Sequence, residues 1–180
     1  MGIISRARSS SGQRSIRSDT ELRRLLVENL DSLRRFSFSL TGNGPDGDDL
    51  AQNTVERLMH KGVPSDAPFT AWMLRVCKNL WIDQIRSQTK TQLADSDEME
   101  RHLEAVDGSA VAMSKARFDE VATAIEQLDP EQQAVLGLVT VEGHSYREAS
   151  EILEIPIGTV MSRLSRARAR LIELTSEEQS

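Results

Sequence analysis

The chain has 180 residues, enough for one ordinary domain or two small ones, and its 4% of aromatic and 28% of charged residues suit small helical domains better than a β-sandwich. The formal net charge of −6 is unusual for a protein that binds DNA by itself, so the distribution of charge matters more than the total. The single cysteine, Cys77, excludes an internal disulfide.

The N-terminal segment is basic. Residues 1–18 contain four arginines and no acid, show no periodicity, and are expected to form a disordered tail. The segment lacks the apolar core of a signal peptide, and no apolar run in the chain approaches the roughly 20 residues that cross a membrane. A lone cysteine fits a reducing compartment. We therefore expect a cytoplasmic protein with no membrane insertion.

Three helices are predicted in the first half, residues 19–88. The pattern Ser-x-x-Glu at 18–21 is a possible capping box for the first helix, whose apolar residues recur at helical spacing as far as the Gly/Pro break at 42–45. The second helix is expected at about 48–61 and the third at about 69–87, each with one apolar side. The first half is thus predicted to be a small helical domain.

The apolar periodicity fades after the third helix. Residues 89–112 accumulate acids, six of them within 95–107, and are expected to form a flexible acidic linker. Helical spacing resumes in a second domain, residues 113–175, where Asp129 and Pro130 are predicted to cap and begin a helix. No convincing strand pattern is present. The predicted fold class is all-α, with two small helical domains joined by the linker.

Residues 143–171 predict a helix-turn-helix. A second capping box stands at 145–148, and Pro156 ends one helix and can begin the next. Glu154 occupies the turn, where glycine is favoured because a positive φ is often required. The stretch 157–172 has four arginines and no acid, which favours DNA binding over a merely solvated face. The outward residues that can reach base edges or phosphates are Thr159, Ser162, Arg163 and Arg166.

With these motifs in place, the chain resembles the extracytoplasmic-function (ECF) sigma factors. The segment 124–171, with EGHSYREASEIL and IPIGTVMSRLSRARARL, looks like their domain four, which binds the −35 promoter element. DDLAQNTVERLM at Asp48–Met59 and PFTAWMLRVCKNLWIDQIRSQTK at Pro68–Lys90 look like their domain two. The resemblance covers about residues 20–90 and 118–172. It implies a non-enzymatic subunit, without a cofactor, that directs RNA polymerase to promoters.

The resemblance implies roles for residues of the first half. The loop at 61–68 and the helix after it match the family's reader of the −10 element, which holds a base flipped out of the melted strand. Asn79 falls on the family's base-contacting asparagine, and an amide suits the edge of an unstacked base. Arg75, Lys78 and Arg86 are placed to meet phosphate. In the family, one surface of domain two binds the clamp helices of the polymerase largest subunit. The residues of this chain that match that surface are Asp48, Asp49, Gln52 and Arg57.

In domain four the resemblance adds Arg147, on the backbone side, to the outward residues of the second helix. Met161 stands where many members carry Lys or Arg, so one contact of the family can be missing here. The family's partners are core RNA polymerase, through its clamp helices and flap region, promoter DNA, and commonly an anti-sigma factor. We therefore expect an anti-sigma factor to hold this protein inactive by covering its polymerase-binding face.

Three other functions stay open at this point. A helix-turn-helix regulator with a receiver domain would need an α/β pattern in the first half, where no strands are predicted. An enzyme or small-molecule binder would need a constellation that is missing, since the three histidines share no metal-ligand spacing with Cys77. A degenerate sigma-like protein without promoter binding is kept open by Met161 and Glu154. Cys77 and Trp72 are both predicted to lie in the core.

Overall fold

The computed structural model describes residues 15–92 and 121–177. In these two ranges the chain is helical apart from turns, loops and one isolated β-bridge, which confirms the predicted all-α fold. None of the described helices is long and apolar enough to cross a membrane. Most of the expected tail and linker, residues 1–14 and 93–112, lies outside the described residues.

The first half has three helices, which are α1 (Asp19–Thr41), α2 (Gly44–Lys61) and α3 (Phe69–Gln92). Ser18 caps α1 as predicted, its hydroxyl accepting from the N–H of Glu21 at 3.3 Å. The helices α1 and α2 follow each other across a short break, contact each other, and pack on α3 through buried apolar side chains. The third helix extends further than expected, to Gln92, so the first residues of the predicted linker are helical.

The break between α1 and α2 is tighter than predicted. Gly42 ends α1 with φ 75°, in the left-handed region that glycine adopts without strain. Asn43 then caps α2 at once, its side-chain oxygen accepting a backbone N–H at 2.9 Å. Pro45 stands in the first turn of α2, where its missing N–H has no cost. The second helix therefore begins at Gly44 and not near residue 48.

The second half has a short helix α4 (121–126), α5 (Pro130–Leu136) with a π-helical turn (Gly137–Val141), α6 (Tyr146–Leu153) and α7 (Ile157–Glu177). The capping box of α6 is confirmed, since Ser145 and Glu148 exchange hydrogen bonds of 3.2 and 2.8 Å. The predicted side-chain cap of α5 is wrong. Asp129 stands at the N-cap, but its backbone carbonyl, not its carboxylate, accepts from the N–H of Gln132 at 2.8 Å.

Residues 15–18 belong to the segment that was expected to be a disordered tail. In the structure they lie against the loop after α2, residues 62–68, with Ile16 bridged to Pro64 in antiparallel fashion. Ser18 then begins α1 as its cap. The first residues that the structure describes are thus attached to a loop that was assigned to DNA reading from the sequence.

The two halves pack against each other and contribute to one hydrophobic core. Helix α1 contacts α5 and the π-turn, and α3 contacts α6. The approach is close at Gly137, where an added Cβ would lie 2.4 Å from the hydroxyl of Ser39 and 3.3 Å from the ring of Phe36. This closed arrangement was not predicted, because its contacts join residues far apart in the sequence.

Candidate nucleic-acid interface

A cavity of about 540 Å³ opens beside α3, at the loop 62–68. Asn79, which is exposed, and Trp72, which is half-buried, line it from α3, and Gly62 and Pro64 line it from the loop. Its volume lies in the range of pockets that take small molecules. Trp72 was predicted to be a core residue, and its ring does pack against the core while also forming a wall of this cavity.

Arg75, which was expected to meet phosphate, faces the second half of the molecule. Its guanidinium donates to the carbonyl oxygens of Glu151 and Ile152, both at 2.8 Å, and to the carboxylate of Glu154 at 2.6 Å. These acceptors stand at the C-terminal end of α6, where helix carbonyls lack a partner and carry partial negative charge. Arg75 also lies 5.9 Å from the centroid of the Trp72 ring. In this conformation Arg75 connects the two halves.

Glu154 occupies the turn of the helix-turn-helix with φ 56° and is the one non-glycine residue with positive φ in the described ranges. The expectation that this position needs a positive φ is therefore confirmed. A non-glycine residue there costs on the order of 1 kcal/mol. Its side chain is largely exposed, so the ion pair with Arg75 offsets only part of that cost.

Lys78 and Arg86 have different surroundings. Burial lowers the pKa of Lys78 below its ordinary value of 10.5, and the positive charges of Arg163 and Arg75 act in the same direction against two nearby carboxylates of the second half. Lys78 therefore lies where the halves meet. Arg86 is exposed near the end of α3. Of the expected phosphate contacts, Arg86 is open to solvent, while Arg75 and Lys78 lie at the junction.

Helices α6 and α7 form the predicted helix-turn-helix. Thr159, Ser162 and Arg166 follow one another at i, i+3 and i+7 on α7, so they share a face. Ser162 and Arg166 are exposed and Thr159 is half-buried. Met161 is also exposed, on the neighbouring face. This face of α7 presents hydroxyls and a guanidinium to solvent.

The other two residues expected at the −35 element are engaged in ion pairs. Arg163 is half-buried and pairs with Glu131 of α5. Arg147 is exposed and pairs with Glu151 one turn further along α6, at 3.3 Å. The Arg163 pair ties α7 to α5, because the two residues lie on different helices.

The residues expected to bind polymerase are all exposed on α2, and they are Asp48, Asp49, Gln52 and Arg57. Asp48 pairs with Arg34 of α1 at 2.9 Å, in an exposed ion pair. Arg57 stands apart from the others, because it lines the cavity that also contains Asn79. Arg57 thus lies between the other expected polymerase-binding residues and the cavity.

Sequence reasoning missed Glu142, which follows the π-turn. Its side chain is 3% exposed and accepts from both Nε and a terminal nitrogen of Arg35, at 3.0 and 3.2 Å. The hydroxyl of Ser32 donates to the same carboxylate. A bidentate arginine–carboxylate pair of this kind requires a specific geometry. It is a second polar connection between the halves, and no local pattern in the sequence marks it.

Cys77 is fully buried in α3, which confirms that prediction. Burial raises the pKa of its thiol to about 11, against the opposing effect of hydrogen bonds with Ser37 and Thr54. In residues 15–92 and 121–177, no group of three or more His, Cys, Asp and Glu side chains is placed to hold a metal ion.

Comparison with known families identifies the class of protein. The family Sigma-70 region 2 matches residues 25–91, and the family Sigma-70, region 4 matches residues 118–171. The two matches coincide with the two halves of the structure and with the order predicted from the sequence. The chain is a sigma-70-type transcription factor.

The chain belongs to the ECF RNA polymerase sigma factors. It is 32% identical over 154 residues to EcfG of Rhodopseudomonas palustris, and the matched region covers 79% of this chain and 78% of that relative. It is 31% identical over 160 residues to SigL of Mycobacterium tuberculosis, covering 87% and 89% respectively. In fold it is similar to the sigma factor RpoE of Bartonella quintana, solved in complex with the anti-sigma factor NepR, with a TM-score of 0.70, 24% identity, and coverage of 87% and 98%.

Proposed function

We propose that this sigma factor reads the −10 element with its first half, residues 19–88, and the −35 element with its second, residues 113–175. The observation that carries the proposal is the cavity beside α3, with the exposed amide of Asn79 in its wall. A base extruded from the melted strand would enter this cavity and pair its Watson–Crick edge with that amide. Extrusion costs about a few kcal/mol, which contacts within the cavity have to return.

Three cations of α3 would hold the DNA strand around that base. Arg86 is exposed and can meet phosphate in the closed molecule. Arg75 is occupied by the end of α6, and Lys78 lies beside the same junction, so both would reach phosphate after the halves separate. The −10 reader is therefore complete only in an open molecule.

The second half would place α7 in the major groove at the −35 element. Arg166 is the residue best suited to guanine, because its guanidinium can make two hydrogen bonds and is exposed on α7. Thr159 and Ser162 would contact base edges or phosphate from the same face. Arg147 and Arg163 would meet the backbone, exchanging their present carboxylates for phosphates.

The exposed face of α2 would bind core polymerase in the cytoplasm, through Asp48, Asp49, Gln52 and Arg57. The two promoter elements lie roughly 60–80 Å apart along B-DNA, at about 3.4 Å per base pair. Because Arg75 of one reader is bonded to α6 of the other, the closed molecule cannot reach both elements at once. Binding of the first half to the clamp helices and of the second half to the flap region would hold the molecule open.

An anti-sigma factor would act on the closed form. A cleft of about 580 Å³ between the halves has the apolar side chains of Phe38, Val121, Ile125 and Val141 in its walls and Asp48 at its rim. A partner segment seated there would keep the halves together and would cover part of the polymerase-binding face. The sigma factor of similar fold from Bartonella quintana was solved with an anti-sigma factor. A pull-down from the native host should recover core polymerase or one small partner, and recovery of neither would contradict this proposal.

Two substitutions test the roles of the two readers. Asn79→Ala is expected to impair promoter opening without loss of core binding, because the side chain is exposed and faces the cavity. Arg166→Ala is expected to weaken use of the −35 element by about 1–3 kcal/mol and to relax specificity at one position. Permanganate footprinting of the melted strand, beside a core-binding assay, distinguishes the two. Normal opening by the Asn79 variant would show that the base is read elsewhere.

A further inference from the structure

The loop 62–68, which forms one side of the cavity, is held by the residues just before α1. The N–H of Arg17 donates to the carbonyl oxygen of Val63 at 2.9 Å, and the N–H of Ser65 donates to the carbonyl oxygen of Ser15 at 2.8 Å. The hydroxyl of Ser65 donates to the same Ser15 oxygen at 3.0 Å. Residues 15–17 therefore run antiparallel to the loop, which they join through one isolated β-bridge.

The side chain of Arg17 fastens the far end of the same loop. Its guanidinium donates to the carbonyl oxygen of Ala67 at 2.7 Å and forms an ion pair with Glu21 in the first turn of α1. The side chain is mostly buried, and its Nε has no partner in the part of the chain that the structure describes, so the group is held by its two terminal nitrogens. Backbone bonds at Val63 and a side-chain bond at Ala67 thus fix both ends of the loop.

Ile16 points into the cavity between these two attachments. It is 60% exposed, although it is a large apolar residue. An added Cβ on Gly62, whose φ is 72°, would lie 2.5 Å from Cγ2 of Ile16, so this side chain sits directly on the loop backbone. It lines the same cavity as Asn79 and Trp72. An apolar side chain in this position releases water when a flat base covers it.

We propose that Ile16 is a specificity-determining residue of the −10 reader, forming the apolar wall against the face of the extruded base, and that Arg17 positions this wall and the loop. The inference rests on the proposed function, which assigns the cavity to a −10 base. The amide of Asn79 reads the edge of that base, while Ile16 fixes the plane in which the base lies. Loss of the wall would leave the edge contacts poorly aligned and would relax the choice among bases.

The experiment uses the full chain assembled with core RNA polymerase on a template library in which both the −10 and the −35 elements are randomised. Sequencing the transcripts gives the base preference at every position of both elements. The variants are Ile16→Ala, the conservative Ile16→Val and Arg17→Ala. The matched control is Val27→Ala, which trims an exposed apolar side chain on α1 that does not line the cavity. A core-binding assay accompanies each variant.

Ile16→Ala is expected to reduce the preference for the favoured base at one −10 position by roughly fivefold, with the −35 preferences and core affinity unchanged. Ile16→Val should keep most of that preference, Arg17→Ala should lose it at the same position, and Val27→Ala should match the wild type. Wild-type −10 preferences in Ile16→Ala, or an equal loss at every position of both elements, would overturn the inference. If the wild-type protein itself enriched no promoter sequence, the proposed function would be the one at fault.

Discussion

At the scale of single residues, the helix-turn-helix depends on contacts between near neighbours, whereas Arg75 contacts residues far along the chain. The Ser145–Glu148 capping box and the positive φ at Glu154 were predicted correctly, because both depend on neighbours within a few positions. Arg75 was identified as a cation on α3, but its partners are 76 to 79 positions away. Only the packed fold brings those partners within reach. From the sequence, therefore, Arg75 was predicted to contact DNA and nothing else.

Cys77 provides a residue-scale prediction. Because burial raises its pKa from 9.0 to about 11, the thiol should be protonated at neutral pH and unreactive towards a disulfide reagent until the protein unfolds. The native state holds the proton more tightly than the unfolded state, so the contribution of this thiol to stability should be fully present below pH 9 and be lost as the pH rises towards 11. Thiol titration with and without guanidinium measures the reactivity of Cys77 in the folded and unfolded protein. The variant Asn53→Cys, on the exposed face of α2, is the accessible control. Equal labelling of Cys77 in both conditions would contradict the buried position.

At the scale of elements, periodicity predicted the long helices but not the turns that depend on tertiary contacts. The π-turn Gly137–Val141 reads in the sequence as an ordinary apolar run. In the structure the N–H of Glu142 reaches back to the carbonyl of Gly137 at 3.0 Å. This wider turn directs the carboxylate of Glu142 towards Arg35 of α1. The turn and the contact with the first half thus form one unit.

Gly137→Ala tests that unit. The added Cβ would collide with Ser39 and crowd Phe36, and an overpacked site of this kind costs typically about 1–3 kcal/mol. We expect a lower unfolding free energy and a red shift of tryptophan emission, because the indole of Trp81 donates to Gln133 of α5 at 3.4 Å in another contact between the halves. Gly158→Ala is the matched control, since a Cβ there meets nothing within 4 Å. If both variants behaved alike, the close approach at Gly137 would have no energetic role.

At the scale of the whole molecule, the sequence predicted two DNA-reading halves in the right order, and the family matches agree with that order. It did not predict that they would pack together. Periodicity and composition describe each half separately, whereas the closed form depends on pairs such as Arg75–Glu154 and Arg35–Glu142. In the proposed function, the first of these pairs keeps Arg75 engaged until polymerase binds.

Opening can be followed by energy transfer between dyes on Asn53→Cys and Ser165→Cys, two exposed positions in different halves, with the buried Cys77 left unlabelled. Transfer should be high in the free protein and should fall when core polymerase is added. Arg75→Ala removes the two hydrogen bonds to the carbonyl oxygens of Glu151 and Ile152, each worth about 1.5–3 kcal/mol because the donor is charged, and also the weaker exposed pair with Glu154. It should therefore lower transfer without polymerase. Arg23→Ala, which loses only an exposed pair within α1, should not. Unchanged transfer in the holoenzyme would show that the closed form is the working form.

The most direct test of promoter recognition is transcription by purified core polymerase on genomic DNA of the native host, with and without this protein, followed by sequencing of transcript 5′ ends. We expect a discrete set of start sites that appears only with the protein and shares one −10 and one −35 sequence at constant spacing. Arg166→Ala should weaken the requirement for the −35 sequence alone, and Asn79→Ala should reduce initiation at all of these sites. Start sites identical to those of core polymerase alone, under conditions where the protein binds the core, would contradict the account.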